Sequence, residues 1–323
     1  MFKIIVMKLN FNFFGSLLLL ISIMGCMSQG EKKQEGEGAS SVTNKLKGFE
    51  PPALPAVINN QQDRAEYLIM HYWDKFDFMD TMYCHAPNIT DQAFANFINL
   101  FQYASYETVS KGITKMLDSA LVDVVMYNYF YKLGEHYFYD PNSPNRNDEL
   151  FIPFLEHVTS SPKVVDEDKV RPRYFLNLAY KNRPGEKALN LTYTLNSGQT
   201  GNLYAISAKY TVLMFYNPDC LECRTTTTEL KNAPALTAAI SSGTTKVLAV
   251  YPDENLEIWK THMKDIPSTW INGYDKNLSI RNKEIYDLKA IPTLYLLDKD
   301  KKVILKDVSV GRINQYIEQN PLK

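Results

Sequence analysis

The 323-residue chain sets 35 lysines and arginines against 36 aspartates and glutamates, a formal net charge of −1, and 45% of its residues are hydrophobic. That balance argues against a nucleic-acid partner, and the chain is long enough for two domains, each with its own core. Four cysteines are too few for a disulfide-stapled scaffold, so a close pair among them reads as chemistry rather than bracing.

Lys3 and Lys8 give a positive start, and residues 11–23 form an apolar run shorter than the roughly 20 residues of a membrane span. Ile23-Met24-Gly25-Cys26 closes it with small residues before a cysteine. This resembles a bacterial lipobox and implies a signal peptide over 1–26, with Cys26 as the lipidated first residue of the mature protein. Residues 27–48, rich in Gly, Glu, Lys and Ser, read as a flexible tether. Met27-Ser28-Gln29-Gly30 lacks the acidic cluster that goes with surface export. The expected location is the cell envelope, lipid-anchored and facing the periplasm, with inner or outer membrane left open.

Pro51-Pro52-Ala53-Leu54-Pro55 is extended, since no helix tolerates that run. Apolar spacing then predicts helices over 63–80, with Asp63 as a possible cap, from Thr90, over 107–132, 149–159 and 168–180. The segment 49–183 is therefore an all-helical domain. His71 and Asp74 share a helix face, but no ligand spacing is repeated on a second helix, so they read as packing and no metal site is assigned. Cys84 reads as a buried, inert thiol, with pairing to Cys220 as the alternative.

The segment 185–323 changes character. Alternating residues flank the turn at 196–201, and 211–215 is a buried strand. Cys220-Leu221-Glu222-Cys223 opens a helix expected over 220–240 with a kink at Pro234. A strand over 246–251, a helix over 254–263, a connecting section over 270–285, a strand after Ile291-Pro292-Thr293, a hairpin at 299–302 and a closing helix over 311–319 complete the order. A sulfur at a strand-to-helix junction sits over unpaired helix N–H groups, which stabilise its thiolate. A second sulfur three residues on lies one turn away and can attack a mixed disulfide formed by the first.

Cys-x-x-Cys between strand and helix, joined to Ile-Pro-Thr before a hairpin, resembles the thioredoxin-like family, most nearly its membrane-anchored TlpA and ResA type. Tyr67-Leu68-x-x-His71-Tyr72-Trp73-Asp74-x-Phe76-Asp77-Phe78 and Tyr139-Asp140-Pro141-Asn142-Ser143-Pro144-x-Arg146-Asn147 are similar to the uncharacterised, DUF5106-like helical domain that precedes such a fold in Bacteroidetes lipoproteins. The resemblance implies an α/β thioredoxin-like fold, a central mixed sheet flanked by helices, after an all-α domain. It also implies a cis proline at Pro292, with Ile291 and Pro292 shaping the substrate groove, and an acid after the following strand, here Glu254, as proton acceptor for Cys223. A solvated carboxylate at a helix start is the plainer reading of Glu254.

Asp219 stands where the family has tryptophan, the intervening pair is Leu221-Glu222 without proline, and Met214 replaces a buried acid. The two acids oppose a nearby thiolate, which points to a reducing couple. The expected activity is thiol/disulfide exchange on protein disulfides, Cys220 attacking and Cys223 resolving. No metal or organic cofactor is called for beyond the Cys220/Cys223 disulfide itself. The partners are protein disulfides, an upstream membrane or periplasmic thiol donor, and the membrane through the lipid anchor, with no nucleic acid. The alternative is a redox-inactive binding module that grips its ligand with the helical domain.

Overall fold

The computed structural model describes residues 46–321, so Cys26 and nearly all of the tether lie outside the described residues. The chain divides into two compact units, one ending at Gly112 and one beginning at Ile113.

In the first unit, α1 (Gln61–His71) starts at Asn60, whose Oδ1 accepts from Asp63 N at 2.8 Å. The cap is thus three residues ahead of Asp63, and the helix is shorter than the spacing predicts. The Asp74 and Phe76 N–H groups turn back onto His71 O and Trp73 O at 3.2 and 3.0 Å, which bends the aromatic run into the core. A 3-10 turn over Thr81–His85 follows, and half-buried Cys84 sits in it. Helix α2 (Pro87–Asn99) takes Pro87 in its first turn, where the missing N–H costs nothing. The ring of Phe49 lies 5.2 Å from both Tyr72 and Trp73, and Phe94, Phe97 and Phe101 are fully buried. His71 Nδ1 meets Asp74 Oδ2 at 2.7 Å at the surface.

Helix α3 (Tyr106–Ala120) runs through Gly112, and in the second unit α4 (Val124–Phe138), α5 (Asp148–Ser160) and α6 (Val170–Ala179) follow. The single helix expected over 107–132 is therefore two. Asp123 is the reason: its Oδ1 accepts from Val125 N and Met126 N at 2.7 and 3.2 Å and starts a new helix.

The sheet has seven strands: β1 (Thr192–Thr194), β2 (Thr200–Asn202), β3 (Tyr210–Phe215), β4 (Thr245–Tyr251), β5 (Ile271–Tyr274), β6 (Thr293–Leu297) and β7 (Val303–Lys306), in the order β2-β1-β5-β4-β3-β6-β7. β3, β4 and β5 are parallel neighbours, and β6 runs antiparallel to β3. β5 lies within the section expected as a connection; its four residues, Ile271-Asn272-Gly273-Tyr274, are too few to show a period of their own, and its pairing with β4 makes it a strand.

Helices α7 (Leu221–Asn232), α8 (Pro234–Ser241), α9 (Leu256–Thr261), α10 (Ser279–Asn282) and α11 (Val310–Gln319) complete the unit. The kink expected at Pro234 is a full break: Ala233 is extended at ψ 113°, since a residue before proline is pushed out of the helical region. Val212 and Met214 bury one sheet face with Leu230, Leu236, Trp259 and Ile313. Leu213 and Phe215 bury the other with Leu248, Tyr286 and Tyr295. This is the expected mixed sheet flanked by helices. Residues 185–188 run along the outer side of β7, with Gly185 N donating to Val303 O and Val303 N to Glu186 O, both at 2.8 Å.

Candidate active site

All six residues of β3 are buried, and the chain leaves the end of that strand through a short loop into α7. Asn217 organises the loop. Its Oδ1 accepts from Asp219 N at 3.0 Å, its backbone O from Cys220 N at 3.1 Å, and its Nδ2 donates to Asp253 Oδ2 at 3.0 Å. Arg224 Nη1 ties the loop to α7 through Pro218 O at 3.0 Å.

Cys220 caps α7. Its Sγ accepts from Cys223 N at 3.3 Å and meets Ile291 O at 3.4 Å. Cys223, one turn inside the helix, is 1% exposed, and its Sγ accepts from Asn217 N at 3.4 Å. Burial pushes the Cys223 thiol well above its ordinary value, and the Asn217 N–H offsets only part of that. One sulfur can reach a partner at the surface; the other is shielded and holds its proton. The Ile291–Pro292 peptide bond is cis, and the Ile291 carbonyl is the one beside the first sulfur.

Cys220, Cys223, Ile291 and Pro292 thus meet at one place. Glu254 is oriented differently: its side chain is 67% exposed and pairs with Arg281 Nη1 at 3.2 Å. The carboxylate hydrogen-bonded into the cysteine loop belongs to Asp253, one residue earlier, through the Asn217 side chain whose own backbone N–H contacts Cys223 Sγ. Sequence reading singled out Glu254 and not Asp253 because the end of β4 places an acid to within one residue only, and both residues stand in a bend beyond the strand where no period sets a side chain's direction. His262 was also missed. It stands 3.7 Å from Asp219 and 2.9 Å from Asp265, so Asp219 has an imidazole beside it. Leu221, between the cysteines, is 65% exposed. Among the described residues no group of three or more His, Cys, Asp or Glu side chains could hold a metal ion.

Sheet order, cysteine loop and cis proline together define a thioredoxin-like protein. The family model described as "Thioredoxin-like" matches residues 208–303, and the model described as "Domain of unknown function (DUF5106)" matches residues 26–182. The crystal structure of a thioredoxin-like protein from Bacteroides caccae ATCC 43185 is 44% identical, with a TM-score of 0.83 over 85% of this chain and 100% of that one. The chain belongs to this thioredoxin-like family, with a DUF5106 domain ahead of the thioredoxin-like one. The C-terminal domain of an uncharacterized protein from Bacteroides fragilis NCTC 9343 is 50% identical over 42% of this chain and 98% of that one, with a TM-score of 0.42. A thiol:disulfide interchange protein from a Bacteroides species is 22% identical over 44% and 93%, with a TM-score of 0.38. No curated protein matches the chain.

Proposed function

We propose that the protein is a lipid-anchored, periplasm-facing thiol/disulfide oxidoreductase that reduces protein disulfides through Cys220 and Cys223. The observation that carries the reading is the asymmetry of the pair: a half-buried cysteine at a helix N-terminus beside the Ile291 carbonyl, and a fully buried one a turn behind it.

The Cys220 thiolate attacks one sulfur of a substrate disulfide, and the other substrate sulfur leaves as a thiolate and takes up a proton. Cys223 then loses its proton and attacks Cys220 Sγ, which releases the second substrate thiol. The substrate gains two electrons and two protons, and the protein keeps a Cys220–Cys223 disulfide. An upstream membrane or periplasmic dithiol returns the pair to its reduced form by the same exchange in reverse. Ile291 and Pro292 present backbone to the incoming peptide. Of the two acids after β4, Asp253 is the better supported proton acceptor for Cys223, because it alone is hydrogen-bonded to the loop that touches that sulfur.

The test is equilibration of the protein in thiol buffers with alkylation of the free sulfurs. The expected result is a two-electron couple near the roughly −270 mV of thioredoxin. A value near the roughly −120 mV of a strong oxidant would reverse the direction of electron flow. A pair that never forms a disulfide would leave the binding module as the reading.

A further inference from the structure

The segment between α10 and β6 carries Ile291 and Pro292 to the first sulfur, yet it has no regular secondary structure of its own. Side chains from the part of the chain matched by the DUF5106 model hold it at three points. Lys181 Nζ donates to Glu284 O at 2.8 Å, Asn182 Nδ2 to Ile285 O at 2.7 Å, and Asp148 Oδ1 accepts from Lys289 Nζ at 2.6 Å.

The third point is a buried charge cluster. Lys289 Nζ also lies 3.1 Å from Asp287 Oδ2, and Lys306 Nζ on β7 lies 2.7 Å from Asp148 Oδ2. The four side chains are 4% to 6% exposed. Lys306 Nζ donates as well to Ala179 O and Lys181 O, at 3.1 and 2.7 Å, and the Lys289 ammonium stands 4.9 Å over the Tyr139 ring. A charge this buried is costly unless its partner stays in place, so the cluster tolerates little movement of Lys289. Lys289 is two residues from Ile291, whose carbonyl is 3.4 Å from Cys220 Sγ.

We propose that Asp148, a residue of the DUF5106 region, is a positioning residue for the redox pair: it fixes Lys289 and thereby the Ile291–Pro292 backbone that receives a substrate peptide. The inference rests on the reading of Cys220 and Cys223 as the working dithiol. It gives the helical region a task in the chemistry besides its own folding.

The experiment compares turnover of two disulfides by the full chain, insulin as a protein substrate and hydroxyethyl disulfide as a small one, each with dithiothreitol as donor. A small disulfide needs only the two sulfurs, whereas a protein disulfide also needs the backbone beside them. Asp148→Asn is expected to lower kcat/KM for insulin by about tenfold, mainly through KM, and that for hydroxyethyl disulfide by less than about twofold. Arg146→Met, which removes the pair of bonds from Arg146 to Asp307 at 2.9 Å, is expected to leave both rates within about twofold. If Asp148→Asn does not fold, Lys289→Met, which leaves Asp148 paired with Lys306, carries the same expectation, with recovery in Lys289→Arg. Equal loss on both substrates, or none on insulin, overturns the inference. A wild-type protein that turns over neither disulfide overturns the reading of the pair itself, and this inference with it.

Discussion

At the scale of single residues, the two sulfurs divide their labour by burial. Replacing Cys223 by serine removes the resolving thiol while leaving the attacking one at the surface, so the variant is expected to accumulate a mixed disulfide with protein substrates. Replacing Cys220 by serine, in a chain that also carries Cys84→Ser, should leave nothing to trap, since the remaining sulfur of the pair is 1% exposed. Non-reducing gels read both outcomes, and a stable adduct on the Cys220→Ser protein would contradict the assignment. The proton from Cys223 is the harder problem, because burial holds it on the sulfur. Asp253→Asn is therefore expected to slow disulfide turnover by about tenfold or more, and Glu254→Gln by less than about twofold. The reverse order would restore Glu254. The cysteines were legible in the sequence because cysteine is scarce here and two stand three residues apart, and the proline because Ile291-Pro292-Thr293 resembles the family's segment before the hairpin. The choice between Asp253 and Glu254 was not, since carboxylates are common and only the direction of a side chain tells one from its neighbour.

Secondary-structure elements were legible where periodicity ran long and illegible where one polar residue interrupts it. The apolar positions of 107–132 continue across the break at 121–123, so nothing in their spacing announces that Asp123 ends one helix and begins another. That reading makes Asp123 a cap whose loss has a measurable cost: Asp123→Ala should destabilise the protein by about 1 kcal/mol in urea, with disulfide turnover unchanged. No change in the unfolding midpoint would mean the break is fixed by packing instead. Gly134 is a second such position. A methyl there would stand 2.5 Å from the fully buried Phe154 ring, so Gly134→Ala should lose about 1–3 kcal/mol although alanine is the better helix former. β5 went unrecognised for the opposite reason: it is too short to show a period, and its identity as a strand comes from the neighbour it pairs with.

At the scale of the whole molecule, the buried cluster sets how stability depends on pH. Burial alone would raise the Asp148 carboxyl, but the Lys289 and Lys306 ammonium groups overcome it and hold it down at about 2, against an ordinary value of 3.8. A carboxyl lowered by folding contributes stability that is complete above pH 3.8 and lost as the pH falls through about 2. Asp287 works against this, since burial raises it and its protonation in acid relieves a cost. For Lys289, burial opposes the charge but Asp148 and Asp287 raise the ammonium, so its contribution is complete below the ordinary 10.5 and lost only in stronger alkali. Resistance to urea unfolding should therefore weaken below about pH 4, with a flatter acid limb in Asp148→Asn; an identical limb would show that Asp148 is not the group responsible. The proposed anchoring is tested at this scale too: Cys26→Ala should move the protein from the membrane fraction to the soluble one. Finally, the two borders of the sheet bear on how the protein behaves when crowded against copies of itself. On one side the strip 185–188 takes up the N–H and C=O of Val303 at the start of the four-residue β7, and on the other β2 is only three residues long. Neither border offers a long unpaired template, so templated growth of one sheet onto another, the first step toward a fibre, has no place to begin.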